Sequence, residues 1–375
     1  MPIEICGMLL PVMENSAAMP SRIGGRDAAG GRARGVDLDA VDLFAKAHEE
    51  AGFDTALIGS SSAAPDGFQI AQRSAAVTER LNLLVSHRTG FIAPTMAARL
   101  IATTDNFCQG RLKLHVLVGG NDEDQRRDGD WLDHDTRYAR ADEYLELLRR
   151  TWAGDAPVEF EGEHYRVDGG FSGVRSWREP HVPLWGGGGS QLSVDLCAKH
   201  CELFMFWGEP VAVLAERARL VRKAAARYGR TIRFSVSLRP ILGATEEEAW
   251  KRARAILDDV EDRFAGAEGE RAPVMPQSEG SARLRAIAAE REVHDKRLWT
   301  GIARATTAPG NSTALVGTPE QVVDSLLDYY DAGITALLIR GFDAYADTLE
   351  YGKELIPLLR AAVSERDAAG QKPPR

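Results

Sequence analysis

Short apolar runs rich in β-branched residues alternate with longer amphipathic stretches along nearly the whole chain. The first run, 3–10 (IEICGMLL), reads as a buried strand, and 37–51 (DLDAVDLFAKAHEEA) as a helix ending at Gly52. Strands are predicted at 54–58, 81–86 and 112–118, with helices at 67–78 and 95–108 between them. A long helix over 135–153 opens on Asp135. Later strands fall at 183–185, 202–207 (ELFMFW), 232–238 and 335–340 (TALLIR). Helices at 191–200, 210–228, 245–263, 318–332 and 346–363 lie between or after them. Such alternation implies parallel βαβ units, and eight units without a dividing linker favour a closed TIM (β/α)8 barrel. The rival is a doubly wound open sheet, but no G-x-G-x-x-G follows the first strand; residues 24–35 form a long glycine-rich loop instead.

Two stretches break the rhythm. Residues 154–182 read as an insertion with short β segments, and 264–310 as a charged, helix-prone insertion suited to a mobile lid. One barrel domain over 1–368 is therefore expected, with a frayed tail at 369–375. The formal net charge of -9 argues against a nucleic-acid or anionic-membrane partner. No basic segment precedes an apolar stretch, and no run of about 18 apolar residues occurs. Four cysteines among 375 residues make no disulfide framework, so a reduced, cytoplasmic protein is expected.

Trp185–Ser190 (WGGGGS) lies between a strand and a helix. Residues without a Cβ let the backbone approach a ligand, and the following helix start offers free N–H groups to an anion. Late-strand loops are the usual phosphate site of a barrel, which favours phosphate over a plain connection capped by Ser190. Arg137 and Tyr138 open the long helix and offer a guanidinium and a hydroxyl, although an N-terminal capping cluster around Asp135 explains the same residues. The acidic run 121–130 (NDEDQRRDGD) lacks the glycine and closing glutamate of a calcium loop and reads as a solvated loop. Cys197, His200, Cys201 and Glu202 crowd one helix end without zinc spacing, so no metal is expected. His87 ends a strand and suits a structural or a functional role equally. Neither a G-x-S-x-G elbow nor a Walker loop is present.

Several blocks resemble the luciferase-like flavin monooxygenases, in particular the alkanesulfonate monooxygenase branch. They are 87–122 (HRTGFIAPTMAARLIATTDNFCQGRLKLHVLVGGND), 128–144 (DGDWLDHDTRYARADEY), 183–191 (PLWGGGGSQ), 206–210 (FWGEP), 229–242 (GRTIRFSVSLRPIL) and 311–322 (NSTALVGTPEQV). The resemblance implies reduced FMN supplied by a separate NAD(P)H-dependent flavin reductase, O2 as co-substrate, and a homodimer or homotetramer. Carried over by position, it sets Gly189 and Ser190 at the FMN phosphate and Arg137 and Tyr138 beside the flavin. His115 would touch the ring edge, where relatives usually have asparagine. Asp124 falls at a loop position acidic in some relatives, Gly59 and Ser60 where the second strand ends against the flavin, and Trp207 at an active-site tryptophan.

The substrate side departs from that branch. Its paired arginine and histidine become Ser237 and Arg239, its cysteine Ala64, and its tyrosine after the last strand Phe342. Arg304 is the nearest counterpart of its arginine on the mobile segment. The expectation is conserved chemistry on an altered substrate: organosulfur-type, or a sulfone, amine, heterocycle or halogenated aromatic. Arg239 is expected to supply the catalytic cation, because guanidinium stays charged and its fork matches oxyanions. Trp207 and Phe342 would wall out water. Two rivals remain: hydride transfer with the deazaflavin F420, and a non-catalytic flavin-binding protein.

Overall fold

The computed structural model describes residues 3–9, 36–154, 156–265, 278–308 and 310–371. The glycine-rich loop at 24–35, part of the 264–310 insertion and most of the 369–375 tail lie outside those residues.

Eight parallel strands close on themselves: β1 Glu4–Leu9, β2 Thr55–Ile58, β3 Asn82–Arg88, β4 Leu112–Leu117, β5 Leu184–Gly187, β6 Leu203–Trp207, β7 Arg233–Leu242 and β8 Ala336–Ile339. Each pairs with the next. β8 returns to β1, so the TIM barrel is closed and its eight strands fall where the apolar runs predicted them. The runs are continuous because both faces of each strand are buried. In β1, Cys6 and Met8 enter a lumen shared with Leu57, Leu84, Trp185, Leu203, Ala336 and Leu338. Ile5 and Leu9 face outward into the shell of helices, with Val41, Phe44 and Ile356.

β7 is the exception. Beyond Leu238 it outlasts β6, and Arg239–Leu242 pairs instead with a parallel strand, Ala314–Gly317, that the sequence reading passed over. That strand continues antiparallel to Leu298–Trp299 and Val293–His294. Together with helices Glu279–Glu290 and Gly301–Ala305, these strands build residues 278–308. Leu284, Ala288 and Trp299 are buried within it, so this part of the expected lid is a packed layer.

The 154–182 insertion carries an antiparallel hairpin, Val158–Glu161 with Arg166–Gly170. Three further expectations need correction. The His134–Ala153 helix is capped by Asp133, whose carboxylate accepts the Thr136 N–H at 2.9 Å, and not by Asp135. Residues 121–130 are not a free loop: Asp122–Arg127 is helical, and Asp130 pairs with Arg140 at 2.6 Å. The last helix is interrupted by a wide π turn, Tyr351–Leu355, before Ile356–Ala368. Pro357, lacking an N–H, follows that turn, and the i→i−4 ladder cannot run through it. None of the described helices is long and apolar enough to cross a membrane.

Candidate active site

The C-terminal mouth of the barrel encloses a cavity of about 630 Å³. Strand ends supply its floor, through Met8, Leu57, His115, Met205, Ser237 and Leu338. Its rim comes from Tyr138, Ser190 and the first turn of the Glu279–Glu290 helix. This is the face on which the βα loops of a barrel converge.

One side of the cavity is built for an anion. β5 runs into the Gly187–Gly189 turn, and Ser190 caps the Gln191–His200 helix by accepting the Ser193 N–H at 3.2 Å. The Tyr138 hydroxyl hydrogen-bonds to Ser190 and Ser193, and burial pushes its phenol up to about 12. It keeps its proton and remains a donor. The Glu279–Glu290 helix brings its own first turn against the same loop: a Cβ on Gly189 would lie 2.8 Å from the Gly280 nitrogen. Arg217 donates to Glu209 Oε1 at 2.9 Å and to the Gly188 carbonyl at 3.1 Å. Arg283 donates to the same oxygen at 3.2 Å and to the Gly189 carbonyl at 3.3 Å. Two guanidiniums thus share one fully buried carboxylate, with the Glu279 carboxylate also at the rim, and two helix starts meet them, so the corner is rich in N–H and O–H donors.

The glycines of this turn have a cause beyond ligand access. A Cβ at Gly186, Gly187, Gly188 or Gly189 would meet Cys197 Sγ, the Met205 carbonyl, Ser193 Cβ or Glu279 Cβ, at 2.7, 2.4, 2.6 and 2.8 Å respectively. Strand, helix and insertion pack too closely here for any side chain. A bare backbone at the cavity follows from that packing.

On the opposite side, His115 Nδ1 lies 3.2 Å from Ser86 Oγ, and burial lowers the imidazole to about 4, so it is neutral at working pH. The Trp207 ring underlies the insertion, within 3.0 Å of where a Cβ on Gly280 would sit. Asn311 and Arg340 also line the cavity.

The luciferase-like monooxygenase family model matches residues 13–336. The chain belongs to this family. It is therefore an enzyme of the flavin-dependent oxidoreductase class. Solved structures agree on the fold. A riboflavin lyase with modified FMN and riboflavin superposes with a TM-score of 0.78 at 20% identity, covering 97% of this chain and 92% of that one. The EDTA monooxygenase from Chelativorans sp. BNC1 gives 0.72 at 18%, covering 97% and 95%. An F420-dependent secondary alcohol dehydrogenase in complex with an F420–acetone adduct gives 0.64 at 15%, covering 96% and 99%.

Within this family frame, the site residues expected from sequence separate into two groups. His115, Arg137, Tyr138, Gly189, Ser190, Trp207 and Ser237 line the cavity. Arg137, however, turns its guanidinium to the Leu132 carbonyl at 2.7 Å and to Asp122 at 2.7 Å, and so holds the cavity wall together. Gly59, Ser60, Ala64, Asp124, Arg239, Arg304 and Phe342 are not among the lining residues. Asp124 accepts the Ser62 N–H at 3.0 Å and its hydroxyl at 2.6 Å. Arg304 donates to the Ala288 carbonyl at 2.8 Å, inside the insertion. Arg239, on the extension of β7, lines a small pocket beside the cavity that shares Met8 and Arg340 with it and also takes in Phe342. It donates to the carbonyls of Asn311 at 3.2 Å and Gly341 at 2.9 Å, and stacks 4.7 Å from the centre of Phe342. Burial lowers its guanidinium to about 9, which leaves it charged at neutral pH.

His87 is buried against the Tyr144 hydroxyl at 2.7 Å, and His200 against Asp142 at 2.8 Å. Among the described residues, no cluster of three or more His, Cys, Asp or Glu side chains is placed to hold a metal. The sequence reading missed Glu209, Arg217, Arg283, Asn311 and Arg340. Glu209 and Asn311 carried a signal, inside the FWGEP and NSTALVGTPEQV blocks; Arg217 and Arg283 sit in charged helices and Arg340 at a strand end, where nothing local marks a site.

Proposed function

We propose that this chain is a monooxygenase that takes reduced FMN from a separate NAD(P)H-dependent flavin reductase and uses O2 to oxygenate a small organic substrate. One observation carries the reading: a single cavity joins a donor-lined corner to a largely apolar floor. Its volume lies within the ~300–1,000 Å³ typical of small-molecule sites. A phosphate tail fits the corner. Ser190 and Tyr138 would donate to it, the two helix starts would add N–H groups, and Arg217 and Arg283 would stand behind the turn as cations. Met8, Leu57 and Leu338 would offer an apolar surface to a planar ring, and His115 a neutral polar group beside it.

Reduced FMN, when bound, supplies the electrons that activate O2, leaving one oxygen atom for the substrate and one for water. The chain's own residues orient and enclose. Trp207 and the first turn of the Glu279–Glu290 helix, packed against each other at the cavity, would shield a bound flavin from water. His115 stays neutral and offers no acidic proton. Ser237 stands at the substrate side. Of the positions that depart from the alkanesulfonate branch, Ser237 lines the cavity, so substrate selection would differ from that branch there.

Likeness to an F420-dependent dehydrogenase keeps a second reading alive, hydride transfer without oxygen. The test is turnover with FMN, a flavin reductase and NADH across sulfonates, sulfones, amines, heterocycles and haloaromatics, with and without O2. Oxygen-dependent product formation is expected. Tight binding of F420 with no oxygen-dependent product would replace this function with the second.

A further inference from the structure

Building on that flavin reading, we infer that the β7–β8 edge of the cavity receives an oxyanion of the substrate, a carboxylate or a sulfonate, on Arg340 and Asn311. Arg340 directly follows β8 and lines the cavity. Among the described residues its guanidinium has one hydrogen-bond partner, the Met8 sulfur at 3.1 Å. A thioether is a weak acceptor and carries no charge. Buried cations are ordinarily matched by anions, since desolvation otherwise opposes them.

The surroundings make the mismatch larger. Arg239 lies close enough to repel Arg340, and its own bonds go to two carbonyls and to the Phe342 ring. The acid that acts on Arg239, Asp347, is engaged by Arg252 and by the Asp343 N–H at 3.0 Å.

Asn311 supplies an independent observation. It is only 6% exposed yet lines the cavity. Its Oδ1 accepts the Gly208 N–H at 3.0 Å and the Thr313 hydroxyl at 3.2 Å, which fixes the amide orientation. Its Nδ2 is buried without an acceptor among the described residues. Ser237 adds a hydroxyl to the same cavity. The edge therefore offers donors and positive charge, the complement of a group with several anionic oxygens. It is separate from the phosphate corner at Gly188–Ser190, whose two arginines already share Glu209.

The test uses hexanesulfonate, hexanoate and hexan-1-ol, titrated by calorimetry into the full-length protein with and without FMN. At least one anion should bind about tenfold or more tightly than the alcohol, as a charge-assisted hydrogen bond requires. Which anion binds better identifies the group. Arg340→Met should abolish the preference and leave FMN affinity intact, while Arg340→Lys should restore part of it. Asn311→Asp keeps the two accepted bonds but replaces the free donor by an oxygen, and should also weaken anion binding. Equal binding of alcohol and anions by the unaltered protein would overturn the inference. So would an Arg340→Met protein that keeps the anion preference, or that loses FMN affinity in its place. Arg340-dependent anion binding in a protein that binds no FMN would sink the flavin reading and leave this one standing.

Discussion

The two ends of the barrel treat buried charge in opposite ways. At the N-terminal end, Lys113 of β4 pairs with Glu4 of β1 and donates to Thr55 of β2 at 2.8 Å. Arg233 of β7 reaches the other Glu4 oxygen at 3.1 Å. Burial opposes the Glu4 carboxylate, yet Lys113 and Arg233 hold it below its ordinary range. At the C-terminal end, Arg340 meets only a thioether, and the Asn311 amide nitrogen meets nothing described. A closed network is what stability asks of buried charge; an open one disfavours the empty fold and is retained where a ligand completes it. The contrast separates the end that holds the barrel from the end that works.

Acid strikes the barrel walls at both ends and should give the largest effect. His48, His87 and His115 are each lowered by burial to about 4 from 6.5. Each is neutral in the fold and takes up a proton on unfolding, so stability present above the unfolded value is lost as pH falls from 6.5 towards 4. Linkage sets the loss at about 1.4 kcal/mol per pH unit for each histidine. Urea titrations at stepped pH would read it, and a flat profile across that window would show the histidines to be solvated.

Glu4→Gln leaves Lys113 and Arg233 without their carboxylate and should destabilise the protein by about 3 kcal/mol, with FMN affinity of the folded protein unchanged. Next in size is Ser190→Ala, which should weaken FMN binding by roughly 1.5–3 kcal/mol through loss of a hydrogen bond to a charged group. Unchanged affinity would remove Ser190 from the phosphate corner. Arg340→Met should act opposite in sign to Glu4→Gln: relief of an unmatched, half-buried charge should raise stability by about 1 kcal/mol. A destabilised Arg340→Met protein would erase the contrast between the ends. The smallest effect belongs to Arg304→Ala, whose FMN affinity should stay within about twofold, because its guanidinium serves the Ala288 carbonyl.

The barrel was legible in the sequence because strands buried on both faces leave unbroken apolar runs, as in IEICGMLL and ELFMFW. The strand at Ala314–Gly317 escaped notice because it is short and pairs with the overhang of β7 and with Leu298–Trp299, outside the repeat. That overhang also explains Arg239. This residue lies on a late strand, and strand length, which periodicity does not report, sets it beside the main cavity with Phe342 and Arg340. The glycine turn was found for a partly different reason, since close packing by Cys197, Met205, Ser193 and Glu279 demands those glycines as strictly as a ligand would. Arg340 ends the run TALLIR like any strand-closing cation. Its distinguishing property is the lack of a carboxylate partner, which is a relation in space and leaves no mark along the chain. Arg217 and Arg283 escaped for the same reason: each joins Glu209 from a different helix.

Parallel calorimetric titrations with FMN and riboflavin test most directly whether the barrel mouth holds a flavin by its phosphate. FMN should bind, and riboflavin, which lacks only the phosphate, should bind at least about tenfold more weakly. Equal affinity for the two, or no heat from either redox form of FMN, would contradict it.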